Sequence, residues 1–429
     1  MIKRINYGNA SEKYVMKNMD EINKTEMQVS DAVIQIIKDV GKNGDKALRK
    51  YEKKFDGAEI TDFKVPPAVV KKAYDLIDKD VLPSMKVAIK NVEKFHKQQR
   101  ENVKNFVFKN IGYTIMQKYV PVDTAGIYVP GGQAPLFSTV FMAVIPAKIA
   151  GVRKIVLVSP PRYNGEINPY ILVAADMTGI KDVYRIGGAQ AIAALAFGTE
   201  SIPKVDKVAG PGNVYSTMAK KYLFGTIGID AINGPSEITI IADETANPDF
   251  VFYDLLAQSE HSNGHSLLIT TSEQLSIFIE KKLKEHFKQN EINIMIIYVK
   301  KIKDAVMLAN YKAPEHLLII TKNPETVLKE IKNAPAVFVG NFTPVAFGDY
   351  IAGANHILPT NGTSRFFSGL SVLDFLKHSH VVSCTKKAID KFGPYVKIMA
   401  EKEKLYNHSR SIEIRREIKA CCQQKQVKQ

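Results

Sequence analysis

From about residue 113 to residue 340, this 429-residue chain alternates short apolar runs with amphipathic helical stretches, and few folds accept that alternation. The run Lys154–Ser159 (Lys-Ile-Val-Leu-Val-Ser) is apolar throughout its interior, as in a strand covered on both faces of a parallel sheet. Such strands need crossover helices, and the intervening segments supply them. The pattern predicts strands over 115–122, 126–129, 154–159, 183–186 and 205–208, with helices over 137–150, 170–177 and 189–197. A second series starts at Ser236, with strands over 237–242, 267–271, 294–299, 316–320 and 337–340 and helices over 249–258 and 275–287. The expected fold class is α/β: two open Rossmann-like α/β halves with helical N-terminal and C-terminal segments forming smaller domains. The expected division is 1–112 (helical, packing on the core), 113–235 (first α/β domain), 236–382 (second α/β domain) and 383–429 (helical tail).

The flanks read as helix. Val33, Ile36, Ile37 and Val40 recur at helical spacing after Ser30 or Asp31, either of which can cap the start. Asp45 restarts a helix after Gly44, and Leu48, Tyr51 and Phe55 continue its apolar stripe. Another helix is expected from about Ala68 to Arg100, broken near Pro83. The net charge of +15 raises the question of nucleic acid. Lys86, Lys90, Lys94 and Lys97, however, recur beside Met85, Ile89, Val92 and Phe95 as the solvated side of an amphipathic helix, and no nucleic-acid-reading motif accompanies them. No apolar run approaches a membrane span and the first residues lack a secretory core, so the expectation is a cytoplasmic protein engaging neither membrane nor nucleic acid. Cys384, Cys421 and Cys422 form no disulfide framework, and residues 1–383 offer no thiol nucleophile.

Candidate chemistry collects at turns and at a few polar residues. Gly131-Gly132, Gly187-Gly188 and Gly210-Pro211-Gly212-Asn213 are either phosphate-approaching turns or plain strand-to-helix punctuation. Gln258 and His261 share a helix face at i, i+3 and could reach one metal ion, although spacing alone favours Asp254 or His265 as the partner of His261. In Ala313-Pro314-Glu315-His316, the adjacent Glu315 and His316 would diverge in an extended segment and serve separate proton transfers, or simply lie on the surface entering a strand. Asp349, in Phe347-Gly348-Asp349-Tyr350, is a third ligand or a turn residue. Glu403 interrupts an apolar stripe of Val396, Met399 and Tyr406, and an acid on a buried stripe usually has a partner or a task.

Taken together, Gly126–Gly132, Gly187–Thr199, Gly210–Asn213, Gly234-Pro-Ser-Glu237, Gln258-Ser-Glu-His261, Ala313–Leu317, Gly348-Asp-Tyr350 and Asn355–Thr360 resemble the histidinol dehydrogenase family in order and spacing, over about Val33 to His408. The resemblance implies one Zn²⁺ per subunit held by Gln258, His261, Asp349 and His408, which replaces the spacing-based choice of Asp254 or His265. It implies NAD contacts at Tyr128, Gln190 and Asn213, and substrate contacts at Ser236, Gln258, His261, His316, Asp349, Glu403 and His408. It makes 113–235 the NAD side and 236–382 the metal and catalytic side. It further implies a homodimer with shared active sites, in which the C-terminal tail reaches the partner, and the closing step of histidine biosynthesis. Departures are mild: Asn233 stands where a small residue is common, and Ser259 where Ala is common.

The expected reaction is NAD-dependent, four-electron oxidation of L-histidinol through L-histidinal to L-histidine. His316 is expected to act as general base in both hydride steps, its ordinary pKa near 6.5 suiting neutral pH. Glu315 is expected to activate the water that hydrates the aldehyde. Two rival readings are a family member acting on another amino alcohol, and a basic binding protein that has kept the fold without catalysis.

Overall fold

The computed structural model describes residues 2–9, 12–20, 29–131, 135–260, 264–287 and 293–418. The chain divides into two compact units, Met1–Arg100 with Val122–Phe375, and Glu101–Pro121 with Leu376–Gln429.

The larger unit holds two parallel sheets. The first runs Val183–Arg185, Lys154–Ser159, Thr124–Tyr128, Lys207–Ala209, Gly228–Ile229. Its first strand in chain order is central, the next two lie to one side and the last two to the other, so the chain switches direction beside Thr124–Tyr128. In open α/β sheets the crevice beyond the carboxyl ends at such a switch accepts ligands. The second sheet repeats this order around Glu237–Ala242, with His265–Thr270 and Asn293–Tyr298 on one side and His316–Ile320 and Ala336–Val339 on the other. Ile2–Asn6 adds a sixth, edge strand parallel to Asn293–Tyr298, which the sequence reading did not anticipate.

Burial explains why these segments take these forms. Ile155, Val156, Leu157 and Val158 are all buried, as are Ile240, Ile241 and Ala242, in keeping with strands covered on both faces. The helix Ser30–Asp56 lays Val33, Ile36, Val40 and Leu48 into the first core beside Ala191, Ile192 and Leu195 of the helix Gly188–Phe197, each large side chain contributing about 1.5–3 kcal/mol. It begins without a side-chain cap, so neither Ser30 nor Asp31 plays that part. Gly44 breaks it (φ 48°), and beyond the break the Asp45 N–H donates to the Glu200 carboxylate at 2.9 Å. The stretch expected over 68–100 is two helices, Pro67–Ala73 and Val81–Glu101, so the interruption falls ahead of Pro83, which sits in the second helix's first turn where its missing N–H costs nothing. Met85, Ala88, Val92 and His96 form the buried stripe of that second helix, and Lys86, Lys90, Lys94 and Lys97 face solvent.

The smaller unit is a three-stranded antiparallel sheet, Leu376–Cys384, Tyr113–Pro121, Phe106–Asn110, with the helices Lys386–Lys402 and Tyr406–Glu417. Tyr113–Pro121, read as the opening of the parallel series, is instead the middle of this sheet, and Leu376–Cys384 is a strand up to the point where the helical tail was expected. Glu403 does not sit on one continuous buried stripe: the first helix stops at Lys402, Lys404 is left-handed (φ 59°), and Met399 and Tyr406 are 58% and 66% exposed. Among the described residues no helix is long and apolar enough to cross a membrane.

Candidate active site

At the carboxyl edge of the first sheet, two of the three predicted glycine turns meet. Gly210 follows the strand Lys207–Ala209 with φ 123°, and a Cβ there would overlap the Tyr128 carbonyl oxygen, so only glycine allows the two strands to end this close together. A buried ion pair clamps both sides of Gly210: its N–H donates to Asp230 (2.7 Å), and Lys220 Nζ donates to its carbonyl and to Asp230. The buried Tyr128 hydroxyl accepts from Gly188 N–H at 3.1 Å and bonds Ser216, while Asn213 caps the helix Val214–Leu223 by accepting from Tyr215 and Ser216 N–H. Gln190 is buried and donates through Nε2 to Glu52 Oε1 at 2.8 Å, leaving its own Oε1 without a partner among the described residues. Tyr128, Gln190 and Asn213 thus lie at connected turns, with two helix N-termini, Gly188 and Val214, opening beside them. The donor set suits a dinucleotide: backbone N–H groups, glycine clearance and a switch point.

The second cluster lies at the opposite polarity, on the amino edge of the second sheet. Here Glu315 and His316 are 6% and 4% exposed, which removes the surface reading. Nor do their side chains diverge. Glu315 Oε2 lies 3.5 Å from His316 Nδ1, and Ala313, just ahead of Pro314, takes a left-handed conformation (φ 49°). Both converge on the backbone of one residue: Glu237 N–H donates to Glu315 Oε2 at 2.8 Å, and His316 Nδ1 lies 3.3 Å from the Glu237 carbonyl. The other ring nitrogen, Nε2, faces Asp349 Oδ1 at 3.2 Å. Burial works against a charged imidazole, but the Glu315 and Asp349 carboxylates outweigh it and push His316 up to about 10. Burial likewise pushes Glu315 upward, against the pull of His316.

Asp349 lies in a turn at Gly348–Ala352, its carbonyl 2.8 Å from His356 Nδ1. Gly348 makes room for the Phe338 ring, whose centroid is 6.0 Å from that of His316. Gln258 is buried near the end of the helix Pro248–Ser259, and its Nε2 has no hydrogen-bond partner among the described residues. Burial raises the Tyr350 hydroxyl, and the carboxylates of Asp349 and Glu260 add to it. The Gln258 amide oxygen and the Asp349 carboxylate are oxygen donors of the kind an N/O metal set uses. His261 lies outside the described residues, and His408 is exposed in the smaller unit, at the start of Tyr406–Glu417; Glu403 is exposed there too. Ser236 is half-buried, its carbonyl accepting from His265 N–H. The two spacing-based candidates do other things: Asp254, pushed up to about 6 by burial, accepts from Val345 N–H, and His265 is buried and pushed down to about 4 by desolvation and then Lys312.

The model of the histidinol dehydrogenase family matches residues 19–416. The chain belongs to this family. It is 44% identical to the histidinol dehydrogenase of Clostridium acetobutylicum over 94% of this chain and 96% of that one, and 42% identical to that of Methanocaldococcus jannaschii over 96% and 98%. The crystal structure of histidinol dehydrogenase from Elizabethkingia anophelis superposes with a TM-score of 0.89 at 37% identity, covering 96% of this chain and 97% of that one. As a histidinol dehydrogenase family member, the chain is an oxidoreductase of the dehydrogenase type. The sequence motifs left out four buried charged residues of these clusters, Glu52, Lys220, Asp230 and Lys312, and held Glu237 only within Gly234-Pro-Ser-Glu237 without a role. For Glu237 the available signal was an acid opening an apolar strand, and for Glu52 an acid four residues after Leu48 on the same helix face.

Proposed function

We propose that the protein catalyses the NAD-dependent, four-electron oxidation of L-histidinol through L-histidinal to L-histidine. The observation that carries this reading is the buried Glu315–His316 pair on the Glu237 backbone, with Asp349 across the ring, in a chain of this family. One Zn²⁺ per subunit would be held by Gln258, His261, Asp349 and His408, and when bound it supplies a positive anchor for the substrate's nitrogen atoms. NAD⁺ would bind at the first sheet's carboxyl edge, by Tyr128, Gln190 and Asn213. Ser236, with Gln258, His261, His316 and Asp349, would line the substrate site; Glu403 and His408 of the partner subunit would complete it in a homodimer with shared active sites.

The proton chemistry follows from the two carboxylates and the ring. The Glu237 carbonyl favours a proton on His316 Nδ1, which leaves Nε2 as the basic position in the neutral ring. The Glu315 and Asp349 carboxylates together hold that ring protonated near neutrality; a divalent ion held by Asp349 would offset the Asp349 charge and so favour the neutral ring, with Nε2 able to accept a proton. His316 then takes the carbinol proton as hydride leaves the adjacent carbon. Glu315 draws a proton from water as that water adds to the aldehyde, while His316 returns its proton to the carbonyl oxygen, so that the hydrate forms and the ring is neutral again; His316 then accepts the hydrate's hydroxyl proton as the second hydride leaves. A thiol nucleophile is not needed for this route.

The test is NADH formed per histidinol consumed, with zinc supplied, chelated and restored. Two NADH per substrate, lost with the chelator and regained with zinc, is the expected result. One NADH with released aldehyde would reduce the protein to a simple alcohol dehydrogenase, and none would refute the substrate.

A further inference from the structure

We propose that Glu237 and Lys312 act as a buried positioning tie that holds Glu315 and His316 in register with each other. The inference rests on the functional reading above for its kinetic part and on geometry alone for the rest. Lys312 ends the helix Ile302–Lys312, three residues before Glu315. Its ammonium pairs with Glu237 Oε2, the two side chains being only 6% and 1% exposed, and the other Glu237 oxygen accepts from Asn361 N–H. The backbone of the same Glu237 holds Glu315 through its N–H and His316 through its carbonyl. The chain from Lys312 to His316 is therefore closed into a ring on one residue, fastened by side chain at one end and by backbone at the other.

That closure has something to hold. Ala313 is left-handed inside the ring (φ 49°), a conformation a β-carbon disfavours. The strands alone do not secure this turn, since pairing between them begins only at His316, opposite Ile238. A third segment joins at the same point: Gly234 N–H donates to Thr360 Oγ1 and Asn233 Nδ2 to the Leu358 carbonyl at 2.7 Å, so Glu237, Lys312 and Asn361 seal the junction of three chain segments. Neither Glu237 nor Lys312 needs to touch substrate for this task.

The experiment uses the full-length, zinc-supplied protein carrying Glu237→Gln, Lys312→Met or both. Turnover, KM for NAD⁺, zinc content, melting temperature and the downfield Nδ1 proton of His316 are read for each. A displacement of about 1 Å at a reacting group is worth up to about 10²-fold in rate, so each single variant is expected to lose turnover on that scale with KM for NAD⁺ and zinc content kept. Because the two residues form one tie, the double variant loses about as much as either single one, not their product. The His316 Nδ1 proton signal, assigned by its loss in His316→Gln, weakens in all three. Should the singles fail to fold, the uncharged double variant carries the test. Wild-type turnover in a folded variant, multiplying losses, or a lowered melting temperature with unchanged turnover would each overturn the tie. If the unaltered protein makes no NADH from histidinol, the functional reading fails, and an intact Nδ1 proton in Lys312→Met still decides against the tie.

Discussion

Replacing Glu52 by Gln should raise stability, and by an amount that depends on pH. Glu52 is fully buried, with Oε1 accepting from Gln190 Nε2 at 2.8 Å and from Gly187 N–H at 3.2 Å. Burial pushes its carboxyl up to about 8; the Asp56 charge adds to this, while the bonds from Gln190 and Gly187 oppose it. In the unfolded chain the same group ionises near the ordinary glutamate value of about 4.3. Between these two values the native state keeps a proton that the unfolded state has released, so stability falls as pH rises, by up to about 1.4 kcal/mol per pH unit. From pH 5 to pH 8 the loss is roughly 2–4 kcal/mol. Glutamine keeps the Oε1 acceptor and cannot ionise. Urea unfolding followed by circular dichroism should therefore give Glu52→Gln an advantage over the unaltered protein that grows by that amount from pH 5 to pH 8. Parallel pH dependences, or an advantage that shrinks with rising pH, would refute the argument.

Further outcomes are expected elsewhere. Glu315→Gln and His316→Ala should each lower turnover by about 10²–10⁴ with zinc content kept, the range for a general acid–base group; a variant that loses its zinc would have lost a ligand instead. Gly210→Ala should destabilise by more than about 1 kcal/mol, since its φ of 123° and the Tyr128 carbonyl leave no room for a Cβ, and a melting curve that does not move would contradict this. Lys220→Met leaves Asp230 buried without its cation and should cost about 3–5 kcal/mol in denaturant unfolding, part of it regained on adding Asp230→Asn, which removes the charge and keeps an acceptor for the Gly210 N–H. Truncation before Glu401 removes Glu403 and His408 and should abolish turnover; full activity would sink the shared site.

The interior of the larger unit was legible because its strands are continuously apolar. The segments read as Lys154–Ser159, Glu237–Ala242 and His316–Ile320 end where the observed strands end. Where the signal depends on distant pairing it fades. Ile2–Asn6 has no period-2 alternation, only Ile-Lys-Arg-Ile-Asn, and becomes a strand by pairing with Asn293–Tyr298, far away along the chain. Leu376–Cys384 is polar and exposed along most of its length and is a strand through its pairing with Tyr113–Pro121. Within the helix Ser30–Asp56 the apolar stripe misled at its end: Phe55, read as buried, is 45% exposed, and the buried position belongs to Glu52. At the candidate site, spacing found Glu315 and His316 but not their convergence, which is made on the distant backbone of Glu237 and which no residue pattern announces.

The edge strand Ile2–Asn6 also bears on how the protein comes to be folded. Its neighbour in the sheet ends at Tyr298, so the chain's opening residues have no strand to join until nearly 300 residues have been made. At roughly 5–20 residues per second, that leaves the segment waiting on the order of 15–60 seconds on the ribosome. The first sheet, complete by Ile229, has all its strands well before then. The order of synthesis therefore favours a nascent chain in which one half is settled while the other still lacks its border, and closing a loop of this length is a slow event. A bulky fusion ahead of Ile2 would be felt at that late stage, as a lower yield of folded protein, more than in the stability of what does fold.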